Sequence, residues 1–354
     1  MPTDEHLRQV QGLWPETTLD GWMSDECQEG LVSLVIPTYN RANLLSETLT
    51  SVARQTYRPI EVLIVDDGST DRTPQVVERW REGTDNDLNV QYLCQENQGA
   101  NVARNRGLLH SSGQYIQFVD SDDVLHPQQV ACLRAAIQKP PEGDLVFSEQ
   151  AKGETAPSWF PDREGDTECS ISGPKQVEEN PMVVPKNRGS VLYHRSLCRK
   201  AGPWDESLIR WQDMEYMFRI SALRPSYRRI AEKMYFLREH AEGRIQDLYQ
   251  QRRGIKGGLN ALSRVERVVE TADQRHEQAC YCMARYYLGI AKLAMVKGDS
   301  AQVWKAFAGA QRQVPNTRFS IQLRLARVAY CGLGGKVTKL LLDGYTFLRE
   351  RMAR

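Results

Sequence analysis

Glu61-Val62-Leu63-Ile64-Val65-Asp66-Asp67-Gly68-Ser69-Thr70-Asp71 is the stretch whose reading decides the fold. Val62 to Val65 is an apolar run of strand length, and it closes in a polar turn that carries three aspartates around a glycine. A helix is predicted to follow. Pro74 suits its first turn, and Val76, Val77 and Trp80 fall on one face. The same order recurs upstream. Leu31-Val32-Ser33-Leu34-Val35-Ile36 is a second apolar run, closed by Pro37-Thr38-Tyr39-Asn40 and followed by Leu44, Leu45, Leu49 and Val52 at helical spacing. Strand, polar turn and helix in succession predict βαβ units and a mostly parallel sheet covered on both faces. Open sheets of this class bind ligands beyond the carboxyl ends of their strands, so the polar turns are expected to share one crevice.

Downstream, Phe118-Val119-Asp120-Ser121-Asp122-Asp123 ends another buried strand and crowds three carboxylates into four positions. Like charges this close cost energy unless they are neutralised, and a hard divalent cation with oxygen ligands is the usual remedy. The cation keeps its remaining positions for water or for substrate oxygens, which is how nucleoside diphosphates are held. By itself the cluster also reads as an acidic turn capping the next helix.

Four motifs together carry further. Val35-Ile36-Pro37-Thr38-Tyr39-Asn40-Arg41, Val65 to Asp71, Gly99 through Ala103-Arg104-Asn105, and Phe118 to Asp123 resemble, in order and spacing, the family 2 glycosyltransferases. The resemblance runs from about Leu31 to about Arg244. It implies a GT-A fold (a Rossmann-like sheet flanked by helices) and inverting transfer of a sugar from a nucleotide-diphospho-sugar.

The resemblance also implies roles. Pro37, Thr38 and Tyr39 are the expected wall for the nucleotide base, with a ring to stack and a hydroxyl to bond. Asp67 is the expected acceptor for a uracil ring N–H, which would favour uridine nucleotides, while Asp66 supports the turn. Arg104 and Asn105 stand where the family keeps these residue types, and Arg104 can offset diphosphate charge. Asp120-Ser121-Asp122 matches the D-x-D motif that holds Mn²⁺ or Mg²⁺: Asp122 is the expected direct ligand, and Asp120 the contact to ribose or to a metal-bound water. An inverting transfer needs a general base opposite the leaving diphosphate. Asp213, in Trp211-Gln212-Asp213-Met214-Glu215, matches the second position of the family's acidic pair, with Gln212 replacing the usual glutamate. Tyr235 to His240 resembles the stretch that ends the family's catalytic domain, where Arg238 would contact the diphosphate and His240 would complete the metal site.

Composition sets outer bounds. The chain has 354 residues and a formal net charge of +1, which gives no bias toward nucleic acid. No apolar run is long enough for a membrane span, and residues 1–30 lack the regions of a signal peptide. The 8 cysteines show no zinc-like CxxC pair and suit a reducing cytoplasm better than a disulfide framework. Residues 1–30 read as an extension able to dock Leu13, Trp14, Leu19 and Trp22, and residues 31–246 as the catalytic domain. Within it, 151–184 is an acceptor-side loop. Residues 247–354 form an all-α C-terminal domain. From Arg318 to Arg354, basic residues interleave with Leu323, Val328, Leu340 and Phe347, a pattern open to an anionic membrane surface, to an interface between copies or to a packed helix. The expected acceptor is a glycan, lipid-linked or polysaccharide hydroxyl. Two other readings are a sugar-phosphate nucleotidyltransferase and a non-catalytic binding protein of the same fold. The Pro-Thr-Tyr-Asn turn counts against the first, and the aspartates at 67, 120, 122 and 213 against the second.

Overall fold

The computed structural model describes residues 22–24, 26–83, 88–139, 142–156, 170–173, 175–176, 188–208, 212–239, 252–271, 277–314, 326 and 330. The chain divides into two compact units, one of Met1–Glu206 with Gln212–Glu242 and the other of Ser207–Trp211 with Gly243–Arg354.

In the first unit the apolar runs become strands β1 (Gln28–Thr38) and β2 (Ile60–Asp66), joined in parallel by β3 (Leu88–Cys94) and β4 (Gly113–Phe118) in the order β3-β2-β1-β4. Helices α1 (Ala42–Ala53), α2 (Thr73–Gly83) and α3 (Ala100–His110) make the crossovers. Strand β2 is buried along its whole length, as a parallel strand covered on both faces must be. Leu45, Leu49 and Val52 of α1 are fully buried against Val32, Leu34 and Ile36, each aliphatic side chain contributing about 1.5–3 kcal/mol by its burial. Helix α3 lies close on β1 at Gly107, where a Cβ would collide with Val35 Cγ1. Any larger residue there would push the helix off the sheet.

The other half of the sheet is mixed. After β5 (Val124–Leu125) and α4 (Gln129–Gln138) come β6 (Leu145–Gly153), β7 (Lys175–Gln176), β8 (Val191–His194), α5 (Arg195–Ala201), α6 (Gln212–Ala222) and β9 (Ser226–Arg238). Strand β8 runs antiparallel to both β4 and β6, whereas β6 and β9 are parallel. The sheet is therefore α/β with an antiparallel seam. Trp22 docks as the sequence suggests, donating from its indole to the Arg199 carbonyl at 3.2 Å. Leu13, Trp14 and Leu19 lie outside the described residues.

At the strands' opposite end, Glu61 is fully buried and held by four donors. It accepts from Ser112 N at 2.6 Å, Gly113 N at 3.0 Å, Ser112 Oγ at 2.8 Å and the Ser33 hydroxyl. One carboxylate so satisfied staples β2 to the starts of β1 and β4.

The second unit contains α7 (Arg252–Thr271), α8 (Glu277–Val296) and α9 (Ser300–Gln313). Asp299 caps α9 by accepting from Gln302 N. Gly309 lets α9 approach the Tyr287 ring of α8, where a Cβ would collide with Cε1. Glu266 of α7 accepts from Arg312 and Gln313 at the end of α9. Among the described residues no helix is long and apolar enough to cross a membrane. Cys27, Cys94, Cys198 and Cys280 are free thiols, and Cys132 in α4 is disulfide-bonded.

Candidate active site

Three polar turns leave the carboxyl ends of β1, β2 and β4 side by side, because β1 pairs in parallel with both of its neighbours. The first turn is locked onto the second. Asn40, held at φ 50°, accepts through Oδ1 from Thr70 N at 2.8 Å and donates its own N–H to Ser69 Oγ at 2.8 Å. Pro37 sits within β1 opposite Val65, and the Thr38 carbonyl accepts from Asp67 N at 2.9 Å. Thr38 is buried, and its hydroxyl has no hydrogen-bond partner among the described residues. Tyr39 points the other way, 42% exposed, as a ring offered to solvent.

The second turn is saturated from within. Asp66 accepts from Ser69 N at 2.8 Å and from the Tyr92 hydroxyl at 2.5 Å. Burial, and then Asp66 beside it, push the Tyr92 phenol well above its ordinary range. Asp67 is buried and accepts from Gln95 Nε2, Gln98 N and Gly99 N, each at 2.8 Å. It thus fixes the loop that opens α3, whose cap Gly99 has φ 99°. Asp71 accepts from Thr73 and from Ala42 N. Burial acts to raise its pKa, but these hydrogen bonds together hold it below its ordinary value.

One face of α3 gathers Asn101, Arg104 and Asn105. Asn105 clamps the chain after α5, accepting from Trp204 N at 2.7 Å and donating to Trp204 O at 2.9 Å, while Asn101 donates to Asp205 O at 2.6 Å. Arg104 is almost wholly buried. Its guanidinium lies 4.9 Å from the Trp204 ring centroid and donates to Asn101 Oδ1 at 3.1 Å, Gln212 Oε1 at 3.2 Å and Asp120 Oδ1 at 3.3 Å. Trp204 in turn stacks on Tyr216 of α6 at 4.0 Å, and Phe118 meets both rings edge-on.

The third turn meets cations and a clasp. Asp120 and Asp122 keep 27% and 19% of their side chains exposed, and Arg41 Nη2 stands 3.8 Å from Asp122 Oδ2. Ser121 is buried. Asp123 is also buried, accepting from the Tyr235 hydroxyl at 2.6 Å and from Arg238 N at 2.9 Å. Burial first, and then Asp120 and Asp122, raise its carboxyl well above the usual range. The Arg238 side chain bonds Asp122 O at 3.0 Å, Glu154 O at 2.9 Å and the Glu47 carboxylate, so it buckles β9 to the acidic turn and to α1. Asp213, half-buried in the first turn of α6, adjoins the Gln212 that Arg104 touches. His240 lies outside the described residues, as does most of 151–184.

Among the described residues no group of three or more His, Cys, Asp or Glu side chains is arranged to hold a metal. The two accessible carboxylates offer hard oxygen donors, which fit a hard divalent cation whose other positions are filled by water or phosphate oxygens. Arg41, Trp204 and Tyr235 fall within motifs of the sequence, but sequence reasoning gave none of them a role of its own in this site. The available signal was the crowding of Asp120 to Asp123, which demands cations and donors from elsewhere in the chain.

Comparison with known proteins agrees with this geometry. Residues 33–201 match the family model described as glycosyl transferase family 2. Glycosyltransferase GlyA of Streptococcus pneumoniae is 40% identical over 106 residues, a region covering 30% of this chain and 15% of GlyA, so the match spans a small part of that relative's length. S. aureus TarS (residues 1–349, in complex with UDP) superposes with a TM-score of 0.65 at 18% identity, covering 88% of this chain and 91% of TarS. Mannosyltransferase PcManGT from Pyrobaculum calidifontis, in complex with GDP-Man and Mn²⁺, superposes with a TM-score of 0.51 at 17% identity, covering 95% of this chain and 91% of that one. At these identities the two structures establish the fold, GT-A.

Proposed function

The chain carries a family 2 glycosyltransferase domain, and from that premise we propose that it is an inverting, metal-dependent transferase moving a sugar from a nucleotide-diphospho-sugar, a uridine one first, to an acceptor hydroxyl. The observation that carries this reading is the partly exposed pair Asp120 and Asp122 at the carboxyl end of β4, beside the exposed Tyr39 at the end of β1. The uridine preference is supported by the UDP bound to TarS, and the cation by the Mn²⁺ of PcManGT.

Tyr39 supplies the stacking face for the base, and the buried Thr38 hydroxyl a hydrogen-bonding group beside it. Asp67 shapes the floor of that pocket through the Gln95–Gly99 loop. Asp122 would hold Mn²⁺ or Mg²⁺ with Asp120 near it, and His240 is a further candidate ligand. When bound, the cation offsets the charge of the departing diphosphate. Asp213 removes the acceptor's hydroxyl proton as the acceptor oxygen bonds to the anomeric carbon. The bond from that carbon to the phosphate oxygen breaks, and its electron pair leaves with the nucleoside diphosphate. Arg41, beside Asp122, and Arg238 are the cations placed to meet that charge. The acceptor we propose is a glycan, lipid-linked or polysaccharide hydroxyl, as befits enzymes that build glycans from cytosolic donors.

Thermal unfolding of the full chain with UDP, GDP, CDP or dTDP, each with Mn²⁺ or EDTA, tests the reading. A ligand that binds only the folded state raises the midpoint by mass action. Stabilisation by UDP that needs Mn²⁺ is expected; no shift with any nucleotide would remove the donor site.

A further inference from the structure

Arg104 joins two parts of the site that the sequence separates by nearly a hundred residues. One end of its fork meets Asp120 in the acidic turn, and the other meets Gln212, the residue before Asp213. We propose that Arg104 is a positioning residue whose charge this chain commits to Asp120 because its partner on α6, Gln212, is neutral. The inference rests on reading Asp120 and Asp122 as the donor site.

A guanidinium with 4% of its side chain exposed cannot forgo a carboxylate without a large desolvation penalty. Asn101 and Gln212 accept from one arm of the fork, and Asp120, on the other arm, brings a countercharge. The planar fork and the Trp204 ring fix where those N–H groups point, so Arg104 cannot follow a partner that moves. Asp120 is therefore held on the Arg104 side of the turn. Asp122, whose partner Arg41 stands at 3.8 Å and is itself partly exposed, is the carboxylate able to turn toward a cation. A glutamate at 212 would be isosteric with the glutamine and would offer the fork a second carboxylate at the same 3.2 Å position. The arginine's charge would then be shared, and Asp120 would be released toward the metal.

Three variants of the full chain separate this from a packing role: D120N, Q212E and the double variant. Unfolding in urea needs no ligand. D120N is expected to lower the midpoint, and Q212E in the same chain to restore at least half of the loss, because the carboxylate introduced at position 212 takes over as the countercharge. If D120N alone does not fold, recovery of folded protein in the double variant is the expected result. The second readout is Mn²⁺ affinity in the presence of UDP, followed by the electron paramagnetic resonance of free Mn²⁺. Q212E alone is expected to bind Mn²⁺ about fivefold to tenfold more tightly, the effect of one added charge nearby. The double variant is expected to bind it more weakly than the parent although its stability is restored, which a purely structural contact would not produce. Absence of rescue in urea, or unchanged Mn²⁺ affinity in Q212E, overturns the proposal. A parent chain that binds neither UDP nor Mn²⁺ defeats the transferase reading instead, and the urea experiment still decides the link.

Discussion

The turns after β2 and β4 look alike as sequence, each a strand running into three aspartates, yet they are built in opposite ways. Asp66, Asp67 and Asp71 take their hydrogen bonds from backbone N–H groups, hydroxyls and an amide of neighbouring loops. Asp120 and Asp122 instead face arginines, with part of each side chain exposed. Backbone donors are fixed in place, so a carboxylate they hold keeps one position. The two arginines differ: Arg104 is buried and fixes Asp120, whereas Arg41 is partly exposed and 3.8 Å away, so Asp122 is the carboxylate that can exchange its partner for a cation. The third aspartate of the turn after β4, Asp123, is instead held in the interior by the Tyr235 hydroxyl and Arg238 N.

This contrast breaks most sharply at Asp122 and Asp67. Asp122→Asn is expected to lower sugar transfer at least about 100-fold, consistent with the several kcal/mol a metal supplies to developing charge. Its unfolding free energy should stay within about 1 kcal/mol of the parent, because a partly exposed ion pair adds little. Steady-state rates and urea unfolding of the same preparation give both numbers. Asp67→Ala should do the reverse to stability, removing the acceptor from three part-buried donors at a cost of about 1–3 kcal/mol. Calorimetry checks this, and a midpoint equal to the parent's would mean that the 95–99 loop holds its shape without Asp67.

The smallest effect lies at Asp71. Its folded pKa is held below 3.8, so its contribution is fully present above the unfolded value and is lost as the pH falls through the folded one. Asp71→Asn should therefore be slightly less stable than the parent at neutral pH, and the two should converge below about pH 3.8. A pH series of thermal midpoints would show it; curves that stay parallel into acid would mean the hydrogen bonds from Thr73 and Ala42 matter little.

The parallel half of the sheet was legible in the sequence because its elements are local. Leu31–Asn40 and Glu61–Asp71 each hold strand and turn, and a helix starts two residues on, at Ala42 and at Thr73. The antiparallel seam was not legible. Strands β4 and β8 pair across some eighty residues, with Ile116 opposite Tyr193, and no local pattern encodes such a register. The site divides in the same way. The acidic turns stand out as motifs, and the assignment of Asp66 as a supporter of its turn agrees with its bonds to Ser69 and Tyr92. What the motifs could not convey was which partners these side chains would find within the fold. Asp67 serves the 95–99 loop, Arg104 is buried between two elements, and Arg238 is a buckle, because each found partners from segments distant in sequence.

Glu61 has a consequence for how the sheet opens. A strand's first residues are where a sheet ordinarily unzips, since they have neighbours on one side only. Ser112 and Gly113 begin β4 in that position, yet both amides end on a carboxylate with no exposure to water. Their release requires a bare charge to be left in the core, so this end of the sheet cannot fray by itself. It opens with the centre of β1, β2 and β4 or not at all, and the edge of the fold farthest from the polar turns becomes part of its most slowly opening unit.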